Sequence, residues 1–247
     1  MKRTLILVIL LPIVMWGQKQ HNVDEIVDQL NDMWRANSSI SEMKMDIITP
    51  HWERTLQMKS WTQGEEKAFI IIEAPKKDAG TATLKLDNEM WNYLPNTGKV
   101  IKIPPSMMMG SWMGSDFTND DLVRETSYQE DYDVSLFRPE GAEDDKLYLN
   151  MIPHEDAPVV WGKVVTTIRE ADYIPLRMDF YDESGELMRV MIYGDIKEIG
   201  GRTIPTTMIL EPKTKEGHRT TVTYLTAQFN VNVPDDIFTL RHLKQGK

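Results

Sequence analysis

The sequence predicts a mainly β protein, a barrel or strongly curved antiparallel sheet with few helices. Three observations predict it. Period-two alternation of apolar and polar residues sets in at Ser41 and recurs along most of the remaining chain. Turn residues interrupt the alternating runs at short intervals. Helical patterning is confined to one segment near the start, one in the middle and one at the end.

The first residues have the layout of a secretory signal peptide. Lys2 and Arg3 are followed by an apolar run from Leu5 to Trp16, broken by Pro12, and then by the small Gly17. The run is short of the roughly 20 apolar residues that a membrane span needs. Residues 1–17 are therefore expected to be a cleaved signal and residues 18–247 the mature, exported protein. A helix follows. Asn22 with Glu25 reads as a capping box, and Val23, Ile26, Val27, Leu30, Met33 and Trp34 share one helical face, with Ser38 and Ser39 as its end.

Strands are expected where Met43, Met45 and Ile47 alternate with polar residues, then around Trp52, Leu56 and Met58, then over the apolar run Phe69–Ile72 and over Ala82, Leu84 and Leu86. Met90–Leu94 and Lys99–Ile103 read as a hairpin about Pro95-Asn96-Thr97-Gly98. Pro104 to Asp116 breaks the pattern. It holds Pro104-Pro105, three consecutive methionines, Trp112 and Met113, and no charge before Asp116. Thr118 and Asp121 form a second capping box for a short helix through Arg124. Further strands are expected at Asp133–Phe137, Lys146–Ile152, Lys163–Arg169, Pro175–Asp182, Glu186–Tyr193, Thr206–Glu211 and Arg219–Asn230, with a last helix from Asp235 through Leu243.

Composition removes several function classes. No cysteine is present, which excludes disulfides, thiolate catalysis, Cys-ligated metals and a lipoprotein-type lipid anchor. A formal net charge of -10 makes nucleic acid and anionic lipid surfaces poor partners. None of the five histidines has metal-ligand spacing. Asp131 and Asp133 with Ser135 lack the glycine of a calcium loop, since Leu136 stands there. Gly110-Ser111-Trp112-Met113-Gly114 does not centre its serine as a nucleophile elbow does. No phosphate-binding glycine pattern occurs, and no nucleophile, base and oxyanion set can be assembled. The reading is non-enzymatic, with no catalytic residue, no metal and no cofactor.

Sixteen methionines include the cluster Met107, Met108 and Met109. Methionine is flexible and suits surfaces that repack around varied partners. An apolar loop is costly to expose, so this one is either a plug or a lid over an apolar space.

The segments Thr81-Ala82-Thr83-Leu84-Lys85, Met90-Trp91-Asn92-Tyr93-Leu94-Pro95, Lys99-Val100-Ile101-Lys102-Ile103 and Met113-Gly114-Ser115-Asp116-Phe117-Thr118-Asn119-Asp120-Asp121-Leu122 resemble the outer-membrane lipoprotein-sorting protein family, relatives of the periplasmic carrier LolA. The resemblance implies an unclosed antiparallel β-barrel whose helices cap a hydrophobic concave face, in a single domain. It implies a monomeric periplasmic carrier of lipoprotein acyl chains or other lipids, working in some relatives with a transporter of the RND type. An envelope sensor or interaction module of the same fold is the alternative. Trp91, Tyr93, Met107, Met108, Met109, Trp112, Met113 and Phe117 are the expected ligand contacts. Arg54 lies on an early strand, where the carrier's functional arginine would lie, but no motif fixes the match. Alternation does not say which strand face points inward, because a one-residue slip exchanges the faces.

Overall fold

The computed structural model describes residues 21–33, 36–123, 128–157 and 159–245. The expected signal segment, residues 1–17, lies outside them, as do Trp34 and Arg124. Helix α1 spans Val23–Asp32. Asn22 caps it, its Oδ1 accepting from the Asp24 amide at 3.1 Å. The expected stripe is real, with Ile26, Val27 and Leu30 buried. Ser38 and Ser39 do not end the helix. They open the first strand, and Arg202 Nη1 instead donates to the Asp32 carbonyl at 3.1 Å, one of the acceptors a helix end leaves open.

Six strands come before the methionine-rich insertion: β1 (Ser38–Ile48), β2 (Glu53–Gln63), β3 (Lys67–Ala74), β4 (Ala82–Leu86), β5 (Glu89–Leu94) and β6 (Lys99–Lys102). Seven follow it: β7 (Tyr132–Phe137), β8 (Lys146–Pro153), β9 (Lys163–Arg169), β10 (Pro175–Tyr181), β11 (Leu187–Ile199), β12 (Arg202–Pro212) and β13 (Arg219–Phe229). All belong to one 13-stranded sheet in the order β6-β5-β4-β3-β2-β1-β13-β12-β11-β10-β9-β8-β7. Each half is a meander, and the pairing of β1 with β13 joins them. The two edges, β6 and β7, do not pair. The sheet is thus curved and unclosed, as expected.

Several boundaries differ from expectation for local reasons. β11 and β12 run further than expected, to and from the turn at Gly200-Gly201. Asp195, in left-handed backbone (φ 51°), drops out of the β11–β12 ladder and masks the alternation there. Helix α2 is Asn119–Val123, and a further helix, α3 (Tyr128–Asp131), is too short to show a period. The last helix is divided. A 3-10 turn covers Asp235–Ile237, and Thr239, accepting from the His242 amide at 3.1 Å, restarts the chain as α4 (Leu240–Gln245).

Cross-strand register defines two faces. One continuous row of pairs runs Met58 to Met43, Leu56 to Met45 to Val222, Met208 to Tyr193 and Leu210 to Met191, then Met191 to Met178. This inner face carries one apolar cluster around Met45, Leu56, Met58 and Met90 and a second around Leu149, Met151, Met178 and Phe180. Ile26 and Leu30 of α1 cover the second cluster. The opposite, outer face carries Phe69, Ile71 and Leu84, covered by Val233, Phe238 and Leu243 from the C-terminal segment. The apolar run of β3 is explained by this, because Ile70 and Ile72 serve the inner face while Phe69 and Ile71 serve the outer.

Topology positions the insertion. β6 and β7 are consecutive in sequence but lie at opposite edges, so the chain between them must traverse the sheet. It crosses the inner face, where Trp112 joins the first cluster. Phe69 stands 5.7 Å from the Trp61 ring and 5.0 Å from His242. Phe69→Ala should lower stability by about 3–5 kcal/mol in urea unfolding. Ile101→Ser, at an exposed position on edge strand β6, should change it by less than about 0.5 kcal/mol. Equal losses would contradict this assignment of the core.

Candidate functional site: an insertion latched over an apolar sheet face

The insertion is a folded unit bonded to itself. Pro105–Met107 form a 3-10 turn, and the Gly110 amide donates to the Met107 carbonyl at 2.9 Å. The Trp112 amide donates to the Phe117 carbonyl at 2.8 Å, and those of Asn119 and Asp120 donate to Gly110 and Met108 at 2.9 and 2.8 Å. The capping box of α2 forms as expected. Thr118 N and Oγ1 donate to Asp121 Oδ2 at 2.8 and 2.9 Å, and the Asp121 amide returns a bond to Thr118 Oγ1 at 3.1 Å. Met113 (φ 52°) and Gly114 (φ 80°) reverse the chain through left-handed backbone, presenting the Met113 carbonyl to the sheet.

Polar latches from four strands hold this unit down. Trp112 Nε1 donates to Thr83 Oγ1 of β4 at 3.1 Å. Arg54 of β2, paired with Asp78 at 2.7 Å, donates through Nη1 to the Met113 carbonyl at 3.1 Å. Thr220 of β13 accepts from the Asp116 amide at 2.9 Å and donates to Asp116 Oδ2 at 2.8 Å. Arg189 of β11 grips Asp121 bidentately, at 2.9 and 2.8 Å.

The last pair is largely buried, the side chains retaining 10% and 21% exposure. The Arg189 guanidinium lies 4.5 Å from both the Trp161 and the Phe180 ring centres. Its Nε is buried without a hydrogen-bond partner, so the two ring faces take the place of that bond. Burial raises the Asp121 carboxyl, but the hydrogen bond and charge of Arg189, with two hydrogen bonds from Thr118, outweigh it and leave a net lowering. Beside the pair is a cavity of about 150 Å³ whose walls include Tyr132, Trp161, Met178, Phe180 and Tyr193. Burial pushes the Tyr132 and Tyr193 phenols well up, so both stay neutral. Arg189 and Asp121 offset each other's charge in the wall of a largely aromatic and aliphatic space that Asp120 also borders.

The expected contact residues divide between places. Trp112 is buried at 2% exposure. Met108, Met113 and Phe117 are half-buried against the inner-face cluster beneath them. Met107 and Met109 point outward, at 55% and 52% exposure. Trp91 and Tyr93 do not join this group. Strand alternation turns them to the outer face of β5, against the C-terminal segment, while Met90 between them and β4 faces inward. Sequence reading missed Asp121 and Arg189 as a pair. A signal was present, since Arg189 interrupts an apolar period of Leu187, Met191 and Tyr193, and a cation on such a face needs a buried partner.

Among the described residues no group of three or more His, Asp or Glu side chains is placed to hold a metal ion. None of their helices is long and apolar enough to cross a membrane.

A family model described as a family of proteins like an uncharacterized protein matches residues 64–245, well over half of the chain. A DUF1329 family protein from Desulfovibrio piger superposes with a TM-score of 0.78 at 23% identity, over 90% of this chain and 98% of that one. A lipoprotein-sorting domain from Vibrio parahaemolyticus gives 0.74 at 22% identity, over 90% and 100%. A LolA superfamily protein from Nitrosomonas europaea gives 0.73 at 22%, over 90% and 100%. The chain belongs to the family that this model describes, and it shares the fold of the three solved structures. No curated protein matches its sequence.

The latch makes a sharp prediction. Arg189→Met strands a buried carboxylate and should destabilise the protein by about 3–5 kcal/mol, whereas Arg189→Met with Asp121→Leu should recover most of the loss. Acid should loosen the same latch. The Asp121 value is depressed by folding, so its stabilisation is complete above the ordinary carboxylate value of about 3.9 and is lost as pH falls through the lower folded value. Proteolytic cleavage within 104–122 should therefore rise only below about pH 4. A rise already at pH 6 would contradict the latch.

Proposed function

We propose that the protein is an exported carrier that encloses lipoprotein acyl chains, or other lipids, between the inner face of its sheet and the insertion at 104–122. On this reading the amino-terminal segment is a cleaved signal, the protein works as a periplasmic monomer in a single domain, and cargo travels towards the outer membrane. A transporter of the RND type is the partner that the family resemblance implies.

The observation that carries the proposal is a contrast. The directional bonds between insertion and sheet are polar and few, while the surfaces they press together are apolar and rich in methionine. Charge-assisted hydrogen bonds contribute about 1.5–3 kcal/mol each, so releasing the three that Arg54 and Arg189 make to the insertion costs about 4.5–9 kcal/mol. An acyl chain that buries about ten methylenes supplies about 8 kcal/mol, which is similar in size to what the latches hold. Lifting the insertion by itself would expose Trp112, Met108, Met113 and Phe117 to water. With a ligand beneath, those side chains exchange sheet contacts for acyl contacts, and flexible methionines adapt to the new surface. Because the insertion carries its own backbone bonds, it can lift without unfolding.

A second reading, a sensor or interaction module, is favoured by one observation. Trp112 is fully packed in the closed form, as a permanent plug would be. Titration with a fluorescent fatty acid separates the two. Met108→Ser with Met113→Ser should weaken binding about tenfold, since two apolar contacts are lost. Met107→Ser with Met109→Ser, at exposed positions, should leave it within about twofold. No binding by the unaltered protein would remove the carrier reading, and equal binding by both variants would make the insertion a structural plug.

A further inference from the structure

A hollow of about 650 Å³ opens on the inner face beside the C-terminal end of α1. Its floor is the stretch where β1 and β2 change character. Under the insertion their facing pairs are Met45 with Leu56 and Met43 with Met58, and the next two are Ser41 with Ser60 and Ser39 with Thr62. Four small hydroxyl residues thus continue the row of Met45, Leu56, Met43 and Met58. Ser39 and Thr62 bond one another at 2.7 Å. Ser41 and Ser60, retaining 6% and 5% exposure, line the hollow. Two serines facing each other on a half-enclosed sheet surface form an acceptor and donor pair that apolar packing does not need.

We infer that this hollow is a headgroup pocket for an uncharged polyol or amide group, the polar end of the molecule whose acyl chain lies under the insertion. The inference rests on the carrier reading and names the ligand's other half. Continuity supports it, because Met43 and Tyr224 line the hollow and also belong to the apolar packing beneath the insertion. A ligand seated on the serines would therefore direct its chain along the methionine row.

Charge selects the neutral class. The lining cation, Arg202, is engaged, donating to the Asp32 and Met33 carbonyls at 3.1 and 3.4 Å and lying 4.3 Å from the Phe229 ring centre. Asp32 and Glu65 add carboxylates to the same lining, and the chain as a whole carries -10. A phosphate or free carboxylate head would meet repulsion there. A glycerol or sugar head would meet hydroxyls. The volume falls within the roughly 300–1,000 Å³ range of small-molecule sites.

Three probes with one chain length test this by calorimetry: monopalmitoylglycerol, palmitate and palmitoyl lysophosphatidic acid. The full chain should bind the glycerol ester about tenfold more tightly than either anion, as two added hydrogen bonds predict. Ser41→Ala with Ser60→Ala should bring the three within about twofold while palmitate affinity holds, and that retained affinity reports an intact apolar site. Should the double variant fail to fold, Thr62→Val carries the test and should cut the preference about threefold. Equal binding of all three by the unaltered protein, or a preference for lysophosphatidic acid, overturns the headgroup pocket and leaves the carrier reading standing. Binding of none of them overturns both.

Discussion

The pairing of β1 with β13 is the constraint on which the rest of the structure depends. Without it the chain would be two separate meanders. With it, strands that follow one another in sequence, β6 and β7, become the two edges of a single sheet. The connection between them has no short path and must cross a face. A sheet of this width has two faces to cover, and the chain supplies a cover for each. The C-terminal segment takes part of the outer face, while α1 and the crossing insertion share the inner one. The site is a consequence of topology before it is a consequence of any single side chain.

The character of the cover matters as much as its position. Clusters meant only to be core usually exclude buried charge, because desolvation is expensive and an ion pair seldom improves on apolar packing. Here a buried Arg189–Asp121 pair and the Arg54 bond to Met113 fasten the insertion at points where leucines would have held it more firmly. Polar fastenings define one closed geometry and can also be exchanged for water. Apolar fastenings made by a rigid residue set would do neither. The proposed carrier role gives such fastenings a use, since cargo burial and latch release are of similar size.

The fold was legible in the sequence because sheets advertise their period. Met43, Met45 and Ile47, or Leu56 and Met58, could hardly be read otherwise. Legibility failed where the period was broken or too brief. Asp195 hid the far ends of β11 and β12, and α3 has only four residues. The site was legible in part. Trp112 and Met108 announced themselves by lying in an uncharged loop. Trp91 and Tyr93 entered the same reading through the resemblance of their segment, but β5 presents alternate residues to opposite faces, and pairing register decides which. Arg54 and Arg189 each lie in phase with apolar neighbours. Their partners, the Met113 carbonyl and Asp121, are 59 and 68 residues away in sequence, and only the crossing connection brings them together.

The central claim is that the insertion lies over an apolar face and exchanges that face for cargo. Hydrogen exchange on the protein with and without a bound palmitoyl ligand tests it most directly. The account predicts that the Asp116 amide, which donates to Thr220 of the sheet, loses protection on binding, while the amides bonded within the insertion and the paired amides of β1, β2 and β13 keep theirs. Saturating ligand with unchanged protection at Asp116 would contradict it, because the cargo would then be bound somewhere the insertion does not cover.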